Sequence, residues 1–377
     1  MMISYPGLSK LRTKLIEFEN VFLASDSMTL EQLKDMSSKR RAMEESINEK
    51  SLVTAAIARE MSGGLTSRCE QDIQKLEYYL PLLENLVHHV NLMDHNRRMI
   101  SWISDLKIRW SSVLTSSSIF NLMGPKFYQF DNVYFELGMT LFVYGAMLRE
   151  QALEVLPSDL VHSTTLFRKA AGVYTCLAEE VFNHIFGAQE KPPEALPHVS
   201  SVMSLICLAE AQAVAARKAE ENGNTGGLLA KLHYGVTDLM ANAIDNLQIF
   251  TKECKDISPR FMDFVVSCKT LHELKSYKYL AESLKNKGKI GTAIGVLQRA
   301  LSSSQNNQPR EDSWKQVYKQ VFDDMTESLQ KYQHENEFVW HEKVPHHSEL
   351  PSPQAVKIVS PIPYQPQKWE RTLSFKL

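Results

Sequence analysis

Twelve histidines, five cysteines and several paired carboxylates are the groups in this 377-residue chain that could ligate a metal or attack a substrate. Their spacing argues against both. His88-His89 and His95 lie close in sequence, but zinc takes four ligands in fixed geometry, and no set of Cys and acidic residues at helical spacing completes such a site. His346-His347 sits in a Pro-rich stretch and is read the same way. The carboxylates of Glu44-Glu45, Glu179-Glu180 and Asp323-Asp324 are adjacent, so on a helix they point to different sides and do not converge. Cys69, Cys176, Cys207, Cys254 and Cys268 form no CxxC and mostly fall within apolar helical patterns, as the reduced, buried thiols of a cytosolic protein do. Gly63-Gly64 and Gly226-Gly227 are too short to cradle a phosphate, and neither a P-loop nor a nucleophile elbow occurs. No catalytic residue, cofactor or metal is expected, and the chain reads as a non-enzyme.

Bulk properties narrow the partners. A formal net charge of -2 argues against nucleic acid held by bulk electrostatics, and Lys39-Arg40-Arg41 reads as a helix face. The start, MMISYPGLSK, has no apolar signal core, and no run approaches the roughly 18 apolar residues of a membrane span. Met2 excludes N-myristoylation, and Ser374-Phe375-Lys376-Leu377 is not a prenylation box. The chain is expected in the cytoplasm, reaching membranes only indirectly or peripherally.

Function must then be carried by helical surfaces. The stretch from Pro197 to Leu239 organises them. Val199, Val202, Met203, Ile206, Ala209 and Ala213 mark one helix face. A Gly-rich turn follows, and Leu228, Leu229 and Leu232 begin a second helix. Before this pair, Lys10–Phe22 alternates as a short strand pair or a helix start, and Ser27 or Thr29 caps a helix over Leu30–Ile47. Leu52–Met61 continues helical, and Ser67 leads into a helix through Val90 that contains Pro81. Met99–Trp110 is helical or mixed, and Ser111–Pro125 is a loop. The helix from Asp131 to Leu156 is apolar on nearly all sides, which predicts burial between other helices. Ser163–Ile185 is helical, with Ala170-Ala171-Gly172 as a point of close packing. Beyond the central pair, Phe261–Leu284 and Ile290–Leu301 form a tetratricopeptide-like hairpin, and Ser313–Asn336 is the last long helix. From Phe338 the chain turns Pro-rich and aperiodic. Proline lacks the donor N–H a helix needs, yet Ile358, Val359, Ile362, Tyr364 and Trp369 are too apolar for a solvated tail. The tail is expected to lie extended against the helices and cover a groove.

Four landmarks in this order resemble a known family. Trp110 precedes Phe135-Glu136-Leu137 and Leu141-Phe142-Val143-Tyr144-Gly145-Ala146. Phe167-Arg168-Lys169-Ala170-Ala171-Gly172-Val173-Tyr174 follows. Ser204-Leu205-Ile206-Cys207-Leu208-Ala209-Glu210-Ala211-Gln212 runs without a gap into Leu229-Ala230-Lys231-Leu232. Glu335-Asn336-Glu337-Phe338-Val339-Trp340, with Val344-Pro345, ends the last helix. Together they are similar to the Bro-one domain family, found in ALIX and BROX, and most of all to its stand-alone plant members. An asparagine common in the family's buried helix is Tyr144 or Gly145 here.

The resemblance implies a mainly α fold. It is an elongated, boomerang-shaped helical domain with a tetratricopeptide-like solenoid core, room for a small N-terminal β element, and an extended Pro-rich tail packed back on the helices. Residues 1–377 are expected as one domain, 10–337 the helical body and 338–377 the tail. The implied function is a non-enzymatic endosomal adaptor in multivesicular-body sorting. It would bind the C-terminal amphipathic helix of an ESCRT-III subunit in a shallow apolar groove. Carried over by position, the groove takes in Lys218, Leu228, Lys231 and Leu232. Val161 and Thr165 fall where ALIX-like members carry lysines, and Ala215 falls on an aromatic position. Those losses should weaken steering of an acidic helix and shrink its anchor. Plain core packing is the competing role for Leu228 and Leu232. The alternative function is a helical-repeat scaffold that binds a different peptide or trafficking partner.

Overall fold

The computed structural model describes residues 3–5, 7–50, 67–116, 125–185, 190–251, 257–304, 308–366 and 371–377, without the side chains of 49, 50, 250 and 251. The expected helix at Leu52–Met61, Cys254 and Trp369 lie outside the described residues. The fold is mainly α. Its helices are α1 (Ser27–Lys50), α2 (Arg68–Asn91), α3 (Arg97–Asp105), α4 (Val133–Val155), α5 (Leu160–Cys176), α6 (Pro197–Glu221), α7 (Gly226–Thr251), α8 (Pro259–Asn286), α9 (Ile290–Ser304) and α10 (Asp312–Glu335).

Helix starts follow local capping chemistry. Asp26, one residue before Ser27, accepts from the Thr29 amide at 2.7 Å, so the cap of α1 is neither Ser27 nor Thr29. Ser67, Asn96, Asn132 and Asp159 cap α2 to α5 in the same way. Pro81 is carried inside α2. The β structure is displaced from its expected place. β1 (Ile108–Ser111) pairs antiparallel with β2 (Phe127–Phe130), and Lys10–Phe22 forms no strand of its own. Thr13 bridges to Trp110, flanked by main-chain bonds from Lys14 to Arg109 and from Ser111 to Arg12, and the helix alternative is met by a single 3-10 turn at Phe18–Asn20.

From α5 onward each helix packs on the one before it, through to α10. This consecutive antiparallel stacking is the solenoid core. α4 is buried on nearly every side. α6 has the length and apolar character of a membrane span, but most of it is covered by its neighbours. Two buried charge clusters tie distant segments to α4. Glu136 accepts from Arg40 Nε (2.6 Å), Trp110 Nε1 (2.7 Å) and Tyr79 Oη (3.2 Å). Arg149 donates to Glu210 of α6 and, through Nη1, to the Tyr5 carbonyl at 2.8 Å.

After α10 a π-turn (Asn336–Trp340) ends at His341, whose φ is +52°. The tail then runs back along the stack as an external strap. The Gly291 amide bonds Glu342, and Arg299 bonds the carbonyls of Leu350 and Pro351. The Val356 amide reaches the Lys231 carbonyl, and the Ile362 amide reaches the Arg168 carbonyl. Tyr364 Oη lies 2.6 Å from Glu84, and Ser374 pairs with Ser25 and Thr29 beside α1.

Candidate functional site

α5 and α6 are antiparallel neighbours, and so are α6 and α7. Thr175 meets Ser204 at one end of the first pair, and Gln212 meets the Leu232 carbonyl in the second. The N-terminus of α5, the C-terminus of α6 and the N-terminus of α7 therefore share one edge of the stack. Each helix presents a stripe there: Val161, Thr165, Arg168 and Gly172 on α5; Gln212, Ala215 and Lys218 on α6; Leu228, Lys231, Gly235 and Asp238 on α7. The strap crosses all three stripes at one level. Gln212 clamps it, donating to the Val356 carbonyl (2.8 Å) and accepting from the Ile358 amide (3.0 Å). Lys357 pairs with Asp238 at 2.8 Å.

Between the strap and the helix ends lies an exposed apolar strip, the candidate groove. Val161 is 56% exposed, Leu228 39% and Ile358 of the strap 59%. Lys218 and Lys231 are exposed at its rim, while Thr165 and Ala215 are half-buried. Thr165 folds its hydroxyl back onto the Val161 carbonyl at 2.9 Å. Asp159 caps α5 through the amides of His162 and Val161, which, aided by nearby Lys218, hold its carboxyl below the usual range. Leu232 is not part of this surface. It is 2% exposed, which fits the packing role that competed with the groove role. Leu228, one turn earlier, is left at the edge by the end of α6 at Asn222.

Behind the rim lies a buried polar chain. His233 Nε2 donates to Glu220 at 2.8 Å, so its Nδ1 must accept from His272 Nδ1–H, 3.1 Å away. Burial holds His233 below, and His272 well below, the ordinary histidine range. Burial alone would raise Glu220, but the hydrogen bonds from His233 and Tyr279 bring it down to about 2. At its outer end Glu220 is partly exposed and, with Tyr279, Lys275 and Lys278, lines a surface pocket. Burial raises Cys176 to about 12 and lifts Cys207 and Cys268 as well, so these thiols stay protonated. Among the described residues no three His, Cys, Asp or Glu gather as a metal site.

Gln212, Arg168 and Ile358 are parts of the site that spacing alone does not reveal. The available signal is a polar Gln in an otherwise apolar run, and glycines within helices. A Cβ on Gly172 would sit 1.8 Å from the Ile362 carbonyl oxygen, and one on Gly235 2.4 Å from that of Val356. The expected close packing at Ala170-Ala171-Gly172 is present, with α6 against Ala171 and the strap against Gly172.

A stacked-helix solenoid strapped by its own C-terminal segment defines the class of fold. The chain belongs to the BRO1-like domain family, which matches residues 37–376. Curated relatives include the programmed cell death 6-interacting proteins of Xenopus laevis and Homo sapiens. Each is 25% identical, over 246 and 244 residues, covering 64% of this chain. The chain spans 27% of those relatives' length. Among solved structures, the fold is similar to that in an ALIX BRO1–CHMP4C complex (TM-score 0.70, 19% identity, 97% of this chain and 96% of that one). It is also similar to a Bro1 domain described as the structural basis for endosomal targeting (TM-score 0.65, 16% identity, 94% and 91%).

Proposed function

We propose that this chain is a non-enzymatic adaptor whose trough binds the C-terminal amphipathic helix of an ESCRT-III subunit. The observation that carries this reading is the joint exposure of Val161, Leu228 and Ile358 between two rim cations, Lys218 and Lys231. An amphipathic helix fits such a surface with its apolar stripe inward and acidic residues on the lysines. The fold it shares with the ALIX BRO1 domain, which forms a complex with CHMP4C, supports the choice of partner. On this reading residues 1–377 act as one binding domain, cytoplasmic and recruited peripherally to endosomes in multivesicular-body sorting. The test is titration of a labelled ESCRT-III C-terminal helix peptide with the wild type and Leu228→Asp. Leu228 is exposed enough for the variant to fold, and a charge in the trough should cost at least about tenfold in affinity. Absence of binding, or equal binding by both proteins, would sink the reading.

A second reading is a helical-repeat scaffold for a different peptide. Val161 and Thr165, standing where ALIX-like members carry lysines, favour a less acidic partner. Tighter binding of a neutral amphipathic helix than of the ESCRT-III peptide would select it.

A further inference from the structure

The strap carries two Ser-Pro pairs, Ser352-Pro353 and Ser360-Pro361. Both serines are exposed, and the backbone between Leu350 and Tyr364 is extended, without helix or turn. Each hydroxyl faces a guanidinium. Ser352 Oγ is 3.3 Å from Arg299 Nη2, and Ser360 Oγ is 3.5 Å from Arg168 Nη2. Both arginines already hold strap carbonyls: Arg299 those of Leu350 and Pro351, Arg168 that of Ser360 at 2.8 Å. The Arg299 guanidinium also lies over the Tyr277 ring. Among the described residues neither arginine has a carboxylate partner, whereas Lys357, between the two serines, has one in Asp238. Two uncompensated cations are therefore aimed at two hydroxyls, both in the same dipeptide context.

A neutral hydroxyl uses little of a guanidinium's capacity. A phosphate adds about -1.5 to -2 charges and three acceptor oxygens, and its pairing with arginine is charge-assisted and often bidentate. We propose that Ser352 and Ser360 are phosphorylation sites for a proline-directed serine kinase, with Arg299 and Arg168 as the receiving cations that fasten the strap. In the transfer, the bond from the γ-phosphorus of ATP to its bridging oxygen breaks and a bond from Oγ to that phosphorus forms. The seryl proton passes to the kinase's base, and ADP leaves. Proline after each serine has no N–H to satisfy in a kinase cleft. Access requires the strap to lift locally. Around Ser352 this is least demanding, since the next main-chain bond to the body is at Val356. The inference concerns the strap and stands apart from the identity of the trough's partner.

The test treats the full chain with ATP and a recombinant proline-directed serine kinase, beside a synthetic peptide of residues 346–366. Modified sites are mapped by mass spectrometry, and amide exchange across 350–364 is then compared with and without phosphate. The expected result is phosphate at both serines in chain and peptide, and strap amides exchanging about tenfold more slowly in the phosphorylated chain. The slowing should vanish locally in Arg299→Gln and Arg168→Gln, while site occupancy is retained. Phosphate on the peptide but not on the folded chain would overturn the proposal, as would no phosphate on either. Unchanged or faster strap exchange after modification, or slowing that survives both arginine substitutions, would remove the arginines' role.

Discussion

Leu228 and the two lysines beside it should contribute differently to binding. On the proposed reading Leu228 is an anchor whose apolar surface leaves water on binding, so Leu228→Ala should cost about tenfold in peptide affinity at any salt concentration. Lys218 and Lys231 are exposed rim charges, screened over about 8–10 Å at ordinary ionic strength. Lys218→Gln/Lys231→Gln should therefore slow association several-fold at low salt and lose most of that effect at 0.5 M salt, as measured by stopped-flow. A salt-independent loss would mean the lysines act by packing. The histidines behind the rim make a separate statement about pH. Both have folded values below the ordinary 6.5, so the unfolded chain takes up their protons first. Their stabilising contribution is full above about pH 6.5 and falls as the pH drops through and below it. The urea midpoint should be lower at pH 5.5 than at 7.5, by about 1–3 kcal/mol in stability. His272→Gln, which keeps a donor for His233, should show a shallower drop, and an equal drop would assign the effect elsewhere.

At the scale of elements, the strap is held by backbone contact with helix faces that lack side chains. Gly172 and Gly235 allow the tail's carbonyls to approach closer than any Cβ permits. The nearest atom in each of those contacts is a strap carbonyl oxygen, which cannot rotate away. Gly235→Ala should cost about 1–3 kcal/mol by overpacking. It should also raise the rate of limited proteolysis between residues 350 and 366 several-fold, read from fragment masses. If the cleavage rate is unchanged while stability falls, the helix itself has yielded and the strap has stayed. On the proposed reading the strap also completes the trough, with Ile358 held beside it by its amide bond to Gln212. A loosened strap should therefore weaken peptide binding in the same variant.

Across the whole molecule, Arg149 and Glu210 join α4, α6 and the N-terminal segment in one buried cluster. Removing one partner strands the other charge away from water. Arg149→Met should lose about 3–5 kcal/mol in urea unfolding. Arg149→Met/Glu210→Leu should recover much of that loss, because two apolar side chains replace a desolvated pair. A double variant as unstable as the single one would show that the Arg149 contact with the Tyr5 carbonyl matters more than the ion pair.

Helix identity and order are legible in the residues, since most of the long helices carry a periodic apolar face and α2 to α5 carry side-chain caps at Ser67, Asn96, Asn132 and Asp159. Burial of α4 follows from its all-round apolarity, and the extended tail from its prolines. Lys10–Phe22 misleads because alternation is satisfied by a single bridge to Trp110 as well as by a strand. Leu228 and Leu232 lie on one stripe, four residues apart, and a periodic pattern treats them alike. Only the tertiary packing separates the exposed Leu228 from the buried Leu232. The same holds for Gln212, Arg168 and Gly235. Their roles depend on a strap more than 100 residues away in sequence, and local spacing carries no information about which distant backbone will come to lie against a helix.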